Sequence, residues 1–184
     1  MEGNSTLFDL FRKNAELVSA KVKKIRTLSE AMDYGWSFVN NDSCKEKIIA
    51  VPEFSASELD ELQRKAPDIK VVQKELSRYN KGISAAITYA EFGIAETGTL
   101  VINSKDMDKR LATMIPDVHI AILPESKIVK TSEDLIPQIN NILSESSGYL
   151  AFVTGASRTA DIERVLVVGV HGPLELHILI MEGA

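Results

Sequence analysis

The sequence predicts an α/β fold in three layers, a mainly parallel sheet with helices on both faces. Two observations predict it. Short apolar runs rich in branched residues, such as residues 47–51, 69–72 and 118–123, have the length and composition of strands buried on both sides. Between them lie stretches whose apolar residues recur at three- and four-residue steps, the helical period. That alternation marks a largely parallel sheet covered on each face. The 184 residues, 45% hydrophobic and 26% charged, suffice for one core of moderate size. No repeat, low-complexity segment or linker divides them, so the chain reads as one domain, residues 1–184, with residues 1–40 as an N-terminal helical portion.

Taken in order, Leu7, Phe8, Phe11, Val18, Val22 and Ile25 fall at helical steps and their multiples, which predicts one amphipathic helix over residues 6–28. Asp9 and Glu16 dilute its basic residues, so packing on the domain or on a partner fits better than a membrane surface. Ser29-Glu30 opens a second helix to about Asn40, burying Met32, Trp36 and Val39, and Asn40-Asn41-Asp42 breaks it. Residues 47–51 form a strand that Pro52 stops. Ser57-Glu58 starts a helix with acids near the positive end of its dipole, and a strand at residues 69–72 follows Pro67-Asp68. Two β-prone runs, residues 93–95 and 99–102, flank Glu96-Thr97-Gly98-Thr99, which predicts a hairpin with Gly98 at an unusual backbone angle.

A short helix is expected around Met107 to Met114, then a core strand over residues 118–123 ended by Pro124. His119 faces away from Val118, Ile120 and Ile122 in that strand and reads as a structural histidine. Ser132-Glu133-Asp134 begins a helix carrying Leu135, Ile136, Ile139 and Leu143; Pro137 disturbs its first turn and Gly148 closes it. The apolar runs at residues 149–153 and 165–170 read as two further buried strands.

Charge and composition exclude several classes. With 26 acidic and 21 basic side chains the net charge is -5, which argues against nucleic-acid binding. No apolar run has the length to cross a bilayer, and the first residues carry no secretory signal, so the expected location is the cytoplasm without membrane insertion. Cys44 is the single cysteine, in a polar loop segment. It cannot form an internal disulfide, nor can this chain alone supply the thiolates of an iron–sulfur cluster.

Two loops carry the candidate chemistry. In the first, Thr97, Thr99 and the Gly98 amide can bond an anionic or sugar-like ligand, or the threonines can simply satisfy the turn. The second runs from Thr154 to Pro173, where polar groups gather beside the two apolar runs. Gly155 permits close backbone approach, Ser157 and Thr159 offer hydroxyls, and Arg158 supplies a planar fork suited to a carboxylate or phosphate. Asp161 and Glu163 would repel an anion unless turned away, paired with Arg158 or bound to a metal. Gly155-Ala156-Ser157-Arg158-Thr159 lacks the second glycine of a serine-hydrolase elbow, and His171 and His177, six residues apart, match no metal-ligand spacing. His171, before Gly172 and Pro173, is the first choice for acid–base work.

Together these residues carry a resemblance. Gly93-Ile94-Ala95-Glu96-Thr97-Gly98-Thr99-Leu100, Leu123-Pro124, residues 154–163 and Gly169-Val170-His171-Gly172-Pro173 resemble, in order and rough spacing, the LUD-domain family, whose best-known members are the lactate-utilisation C proteins. The likeness covers residues 86–181 well, and Ala156 departs from the proline of many relatives. The resemblance implies a fold like that of the glucosamine-phosphate deaminase, ribose-phosphate isomerase and CoA-transferase superfamily. It also implies a part in oxidising L-lactate to pyruvate beside iron–sulfur partner subunits. The expectation is an accessory protein with no cofactor of its own, binding a small anionic metabolite or nucleotide between the two loops, with homo-oligomer formation left open. Glu96 and His171 would be its acid–base pair if it is catalytic. The rivals are a stand-alone enzyme on a phosphorylated sugar or acyl-CoA, and a non-catalytic scaffold for the iron–sulfur subunits.

Overall fold

A computed structural model describes residues 6–40, 47–79, 82–144, 148–160, 166–168 and 172–183. Helix α1, Leu7–Leu17, starts where the Thr6 hydroxyl accepts the Asp9 amide while the Asp9 carboxylate accepts the Thr6 amide, a reciprocal cap. It stops at Val18, and Ser19 at φ 66° turns the chain into strand β1, Ala20–Ile25. The expected helix over residues 6–28 is therefore helix and strand. Val22 stands at helical steps from Val18 and Ile25, but β1 instead pairs in parallel with β12, Glu175–Met181, from Ala20 opposite Leu176 to Ile25 opposite Met181. Tertiary pairing outweighs a helical spacing in which only every third or fourth residue was apolar.

Most of the remaining elements follow the predicted alternation. Helix α2 is Leu28–Asn40, β2 Ile48–Ala50, α3 Ala56–Lys65, β3 Lys70–Val72 and β4 Ala85–Tyr89. A hairpin of β5, Phe92–Ile94, and β6, Thr99–Asn103, precedes α4, Met107–Ala112, and β7, Val118–Pro124. After β8, Ile128–Val129, come α5, Ile136–Ser144, and β9, Leu150–Val153. Last before β12 come β10, Arg158–Ala160, and β11, Leu166–Val168. The main sheet has the order β1-β12-β7-β4-β2-β3, and all of its pairings are parallel.

Both faces of that sheet are covered. Ile49, Ile87, Ile120 and Ile122 meet Met32 and Val39 of α2 and Leu62 of α3 on one side. On the other, Ala121, Leu123, Ile178 and Ile180 meet Phe11 and Ala15 of α1, with Leu100 and Ile102 of a second sheet. Ala112 of α4 closes the same side over Ile48, Ala50 and Ala86. Adjacent residues of β7 thus feed opposite cores, which is why its apolar run is unbroken.

The second sheet has the order β8-β5-β6-β9, and β10 and β11 form a separate antiparallel pair. This corrects one expectation. Residues 149–153 are not a doubly buried strand: β9 lies at the edge of the second sheet, with Tyr149 and Phe152 exposed. The 154–157 turn therefore follows an antiparallel strand and stands away from the carboxyl edge of the parallel sheet. His177 is structural, as its apolar run suggests. Its Nδ1 lies 2.8 Å from the Tyr34 hydroxyl and its Nε2 2.7 Å from Glu175, so it ties α2 to β12. Burial lowers its pKa against the pull of Glu175, and the neutral ring donates to that carboxylate while accepting from Tyr34.

Candidate functional site

The order of the main sheet fixes where a ligand has room. From β2 the chain passes outward to its neighbour β3; from β4 it returns the other way, toward β7. Connections leaving the carboxyl ends of β2 and β4 diverge, and at such a reversal an open α/β sheet leaves a crevice. After β2 come Val51, Pro52 and Glu53; after β4 come Ala90 and Glu91. Gln73 holds the first of these turns by donating to the carbonyls of Val51 (3.1 Å) and Phe54 (2.6 Å).

A hollow of about 620 Å³ lies there, lined by Pro52, Glu53, Glu91, Asn103, Lys105, Asp106, Met107 and Lys109. Lys109 is its buried cation. Its side chain, only 6% exposed, sets Nζ 2.6 Å from Glu53 Oε1 and 4.0 Å from Glu91 Oε1. The other Glu53 oxygen accepts the Tyr89 amide at 2.8 Å, so both oxygens of that carboxylate are engaged. Asp106 caps α4, its Oδ1 accepting the Lys109 amide at 2.9 Å. A buried ion pair is often no better for stability than apolar groups of equal volume. Such a pair at the open end of a parallel sheet therefore points to use.

The groups behind the crevice are held neutral. Burial, then the Lys109 charge, lowers the pKa of His119 to about 4, and its Nε2 sits 2.9 Å from Thr88 Oγ1. Nδ1 of His119 has no hydrogen-bond partner among the described residues. Burial and the Glu58 carboxylate push the Tyr89 hydroxyl well above its usual range, and it donates to Glu58 at 3.2 Å. Chemically, the crevice offers a buried cation, a carboxylate able to accept from a hydroxyl or take its proton, and an apolar rim of Pro52 and Met107. No group of three or more His, Cys, Asp or Glu among the described residues could hold a metal ion.

The residues singled out from sequence lie elsewhere. Glu96 is exposed, and its carboxylate accepts the Ser132 amide at 3.0 Å and hydroxyl at 3.3 Å. Gly98, at φ 65°, donates its amide to the Ile94 carbonyl, so that amide serves the hairpin. A Cβ there would stand 2.2 Å from the Ala15 nitrogen, so the turn is seated on α1. Thr97, Thr99 and Thr154 form a chain of hydroxyls, 2.7 and 2.8 Å apart. Gly155, at φ 75°, packs on the Val18 carbonyl, and Gly172 lies against Ser157. The Ser157 amide donates to the Pro173 carbonyl at 3.0 Å. The structure thus brings the two loops together at the end of α1. Beside them a second hollow of about 550 Å³ is lined by Leu17, Val18, Thr154, Gly155, Ser157 and Pro173 among others, but not by residues 96–99. His171, Asp161 and Glu163 lie outside the described residues, and of Arg158 and Thr159 only the backbone is described.

Sequence reading missed Glu53, Glu91 and Lys109. Glu53 directly follows the Val51-Pro52 stop of a strand, and Glu91 follows the end of another, which are the positions a parallel sheet offers to ligands. Lys109 lies three residues before Ala112, on the inner face of α4, a charge where the helical period calls for an apolar residue.

A parallel sheet covered on both faces, with its strand order reversing beside a charged crevice, defines an open α/β fold. Within that class the chain belongs to the LUD-domain family, whose model, LUD domain, matches residues 8–181. It is similar to "Lactate utilization protein C" of Bacillus velezensis, 38% identical over 96 residues, 50% of this chain and 39% of that protein. It is also similar to the protein of that name from Geobacillus thermodenitrificans, 32% identical over 123 residues, 63% and 51% of the two chains. The chain spans about half the length of the curated relatives it matches. In fold it is similar to the crystal structure of a DUF162 family protein from Deinococcus radiodurans, with a TM-score of 0.65 at 19% identity over 96% of each chain.

Proposed function

We propose that this chain serves lactate utilisation as an accessory protein and holds a small metabolite in the crevice at the ends of β2 and β4. Its similarity to proteins named for lactate utilisation supports the process. The observation that carries the site is the buried Lys109 ammonium, flanked by Glu53 and Glu91 where strand order reverses. Glu91 can accept from a hydroxyl of a metabolite, and the exposed Lys105 at the mouth of the crevice can meet its acid end. Oxidation itself would fall to iron–sulfur partner subunits, since one cysteine cannot ligate a cluster in this chain.

Deletion of the gene in its host, followed by growth on L-lactate as sole carbon source, tests this reading. Growth should fail, return with the wild-type gene, and stay impaired with Lys109→Met produced at equal soluble level. Undiminished growth of the deletion strain would end the lactate reading, and full rescue by Lys109→Met would remove the crevice from it.

A further inference from the structure

We infer that the crevice takes a ribonucleotide, with Glu91 on the ribose hydroxyls, the Lys105 ammonium toward phosphate and the base along Pro52 and Met107. The inference rests on the crevice being the ligand site proposed above. Size comes first: about 620 Å³ is several times what a three-carbon acid fills and lies within the roughly 300–1,000 Å³ of sites for larger organic ligands.

Charge then decides which end of a ligand goes where. Glu53, Glu91 and Asp106 face only Lys105 and Lys109, and Lys109 is already paired with Glu53. A compact anion placed deep in the crevice would meet surplus negative charge. An uncharged, hydroxylated portion would not, because a carboxylate accepts from both hydroxyls of a vicinal diol. Glu91 is the carboxylate best placed for that task, its ion-pair contact being Lys109 at 4.0 Å, whereas Glu53 is held by Lys109 at 2.6 Å and the Tyr89 amide, and Asp106 Oδ1 caps α4. The anionic end must then reach Lys105, which is exposed and forms no ion pair among the described residues. Met107, 60% exposed, and Pro52 leave an apolar wall that a phosphorylated sugar would not cover and a base would.

Isothermal titration of the full chain with ADP, 2′,3′-dideoxy-ADP and ribose 5-phosphate tests the assignment. ADP should bind, and both removal of the diol and Glu91→Gln should weaken it about tenfold, the effect of losing hydrogen bonds to a charged group. Glu91→Gln should not weaken the dideoxy compound further, because the two changes remove the same contacts. Circular dichroism matched to wild type keeps a folding defect from counting as support. No ADP binding at millimolar concentration, equal binding of the dideoxy compound, or ribose 5-phosphate binding as tightly as ADP would each overturn the inference. Lactate growth that depends on Lys109 while ADP fails to bind would sink the nucleotide and leave the lactate reading standing. ADP binding in a chain dispensable for that growth would do the reverse.

Discussion

Gly98 and His119 show how single residues take their meaning from surroundings far off in sequence. Gly98 occupies a left-handed turn, and its missing Cβ lets the hairpin seat on the backbone of α1. Gly98→Ala combines backbone strain with a 2.2 Å clash against Ala15, and should cost at least about 3 kcal/mol in urea denaturation. A loss below about 1 kcal/mol would show that α1 is not seated there. His119 makes a different demand. Its folded pKa of about 4 lies below the ordinary 6.5, so between those values the unfolded chain binds more protons than the folded one. Stability should therefore fall as pH drops from about 6.5 to 4, by about 3 kcal/mol at 1.36 kcal/mol per pH unit. His119→Gln should flatten that stretch of the stability curve; an unchanged slope would show that the ring is not held neutral by burial. Glu53, Glu91 and Lys109 are of the same kind, since their chemistry comes from strand ends and a helix that meet only in the fold.

Elements with their own start and stop signals were legible to within a residue or two. The helix expected from Ser57 is α3, but its cap is Ser55, with the Glu58 amide donating to the Ser55 hydroxyl and the Glu58 carboxylate accepting the Ser55 amide. Burial alone would raise the Glu58 carboxyl, but the Ser55 bonds and the Tyr89 hydroxyl hold it below the usual range. Ser55→Ala should cost about 1 kcal/mol of stability, read as a lower denaturation midpoint; an unaltered midpoint would mean that the packing of Leu62 holds this helix without its cap. Elements whose pattern fits two periods were not legible. Residues 20–25 carry apolar side chains at positions 20, 22 and 25, which suit a helix nearly as well as an edge strand. Pairing with β12, more than 150 residues away, decided between them. The hairpin around Gly98 was legible because its turn chemistry is local, yet its contact with α1 was not.

At the scale of the whole molecule, a parallel sheet with both faces covered puts its open end where β2 and β4 part, and that end holds the buried ammonium. The proposed accessory role makes a prediction at this scale. Purified alone it should show no visible iron–sulfur absorption, and a cluster retained at one per chain would overturn that role. No helix among the described residues is long and apolar enough to cross a membrane.

By itself the sequence determined the α/β class, the alternation of most strands and helices, the hairpin at Gly98 and membership of the family, because these rest on local periodicity, turn residues and linear order. Only the tertiary structure decided that residues 20–25 are an edge strand, that the 96–99 turn is packed on α1, and that Glu53, Glu91 and Lys109 share a crevice. Those facts depend on strand order and on contacts between distant segments, and no local pattern of side chains records which strands become neighbours.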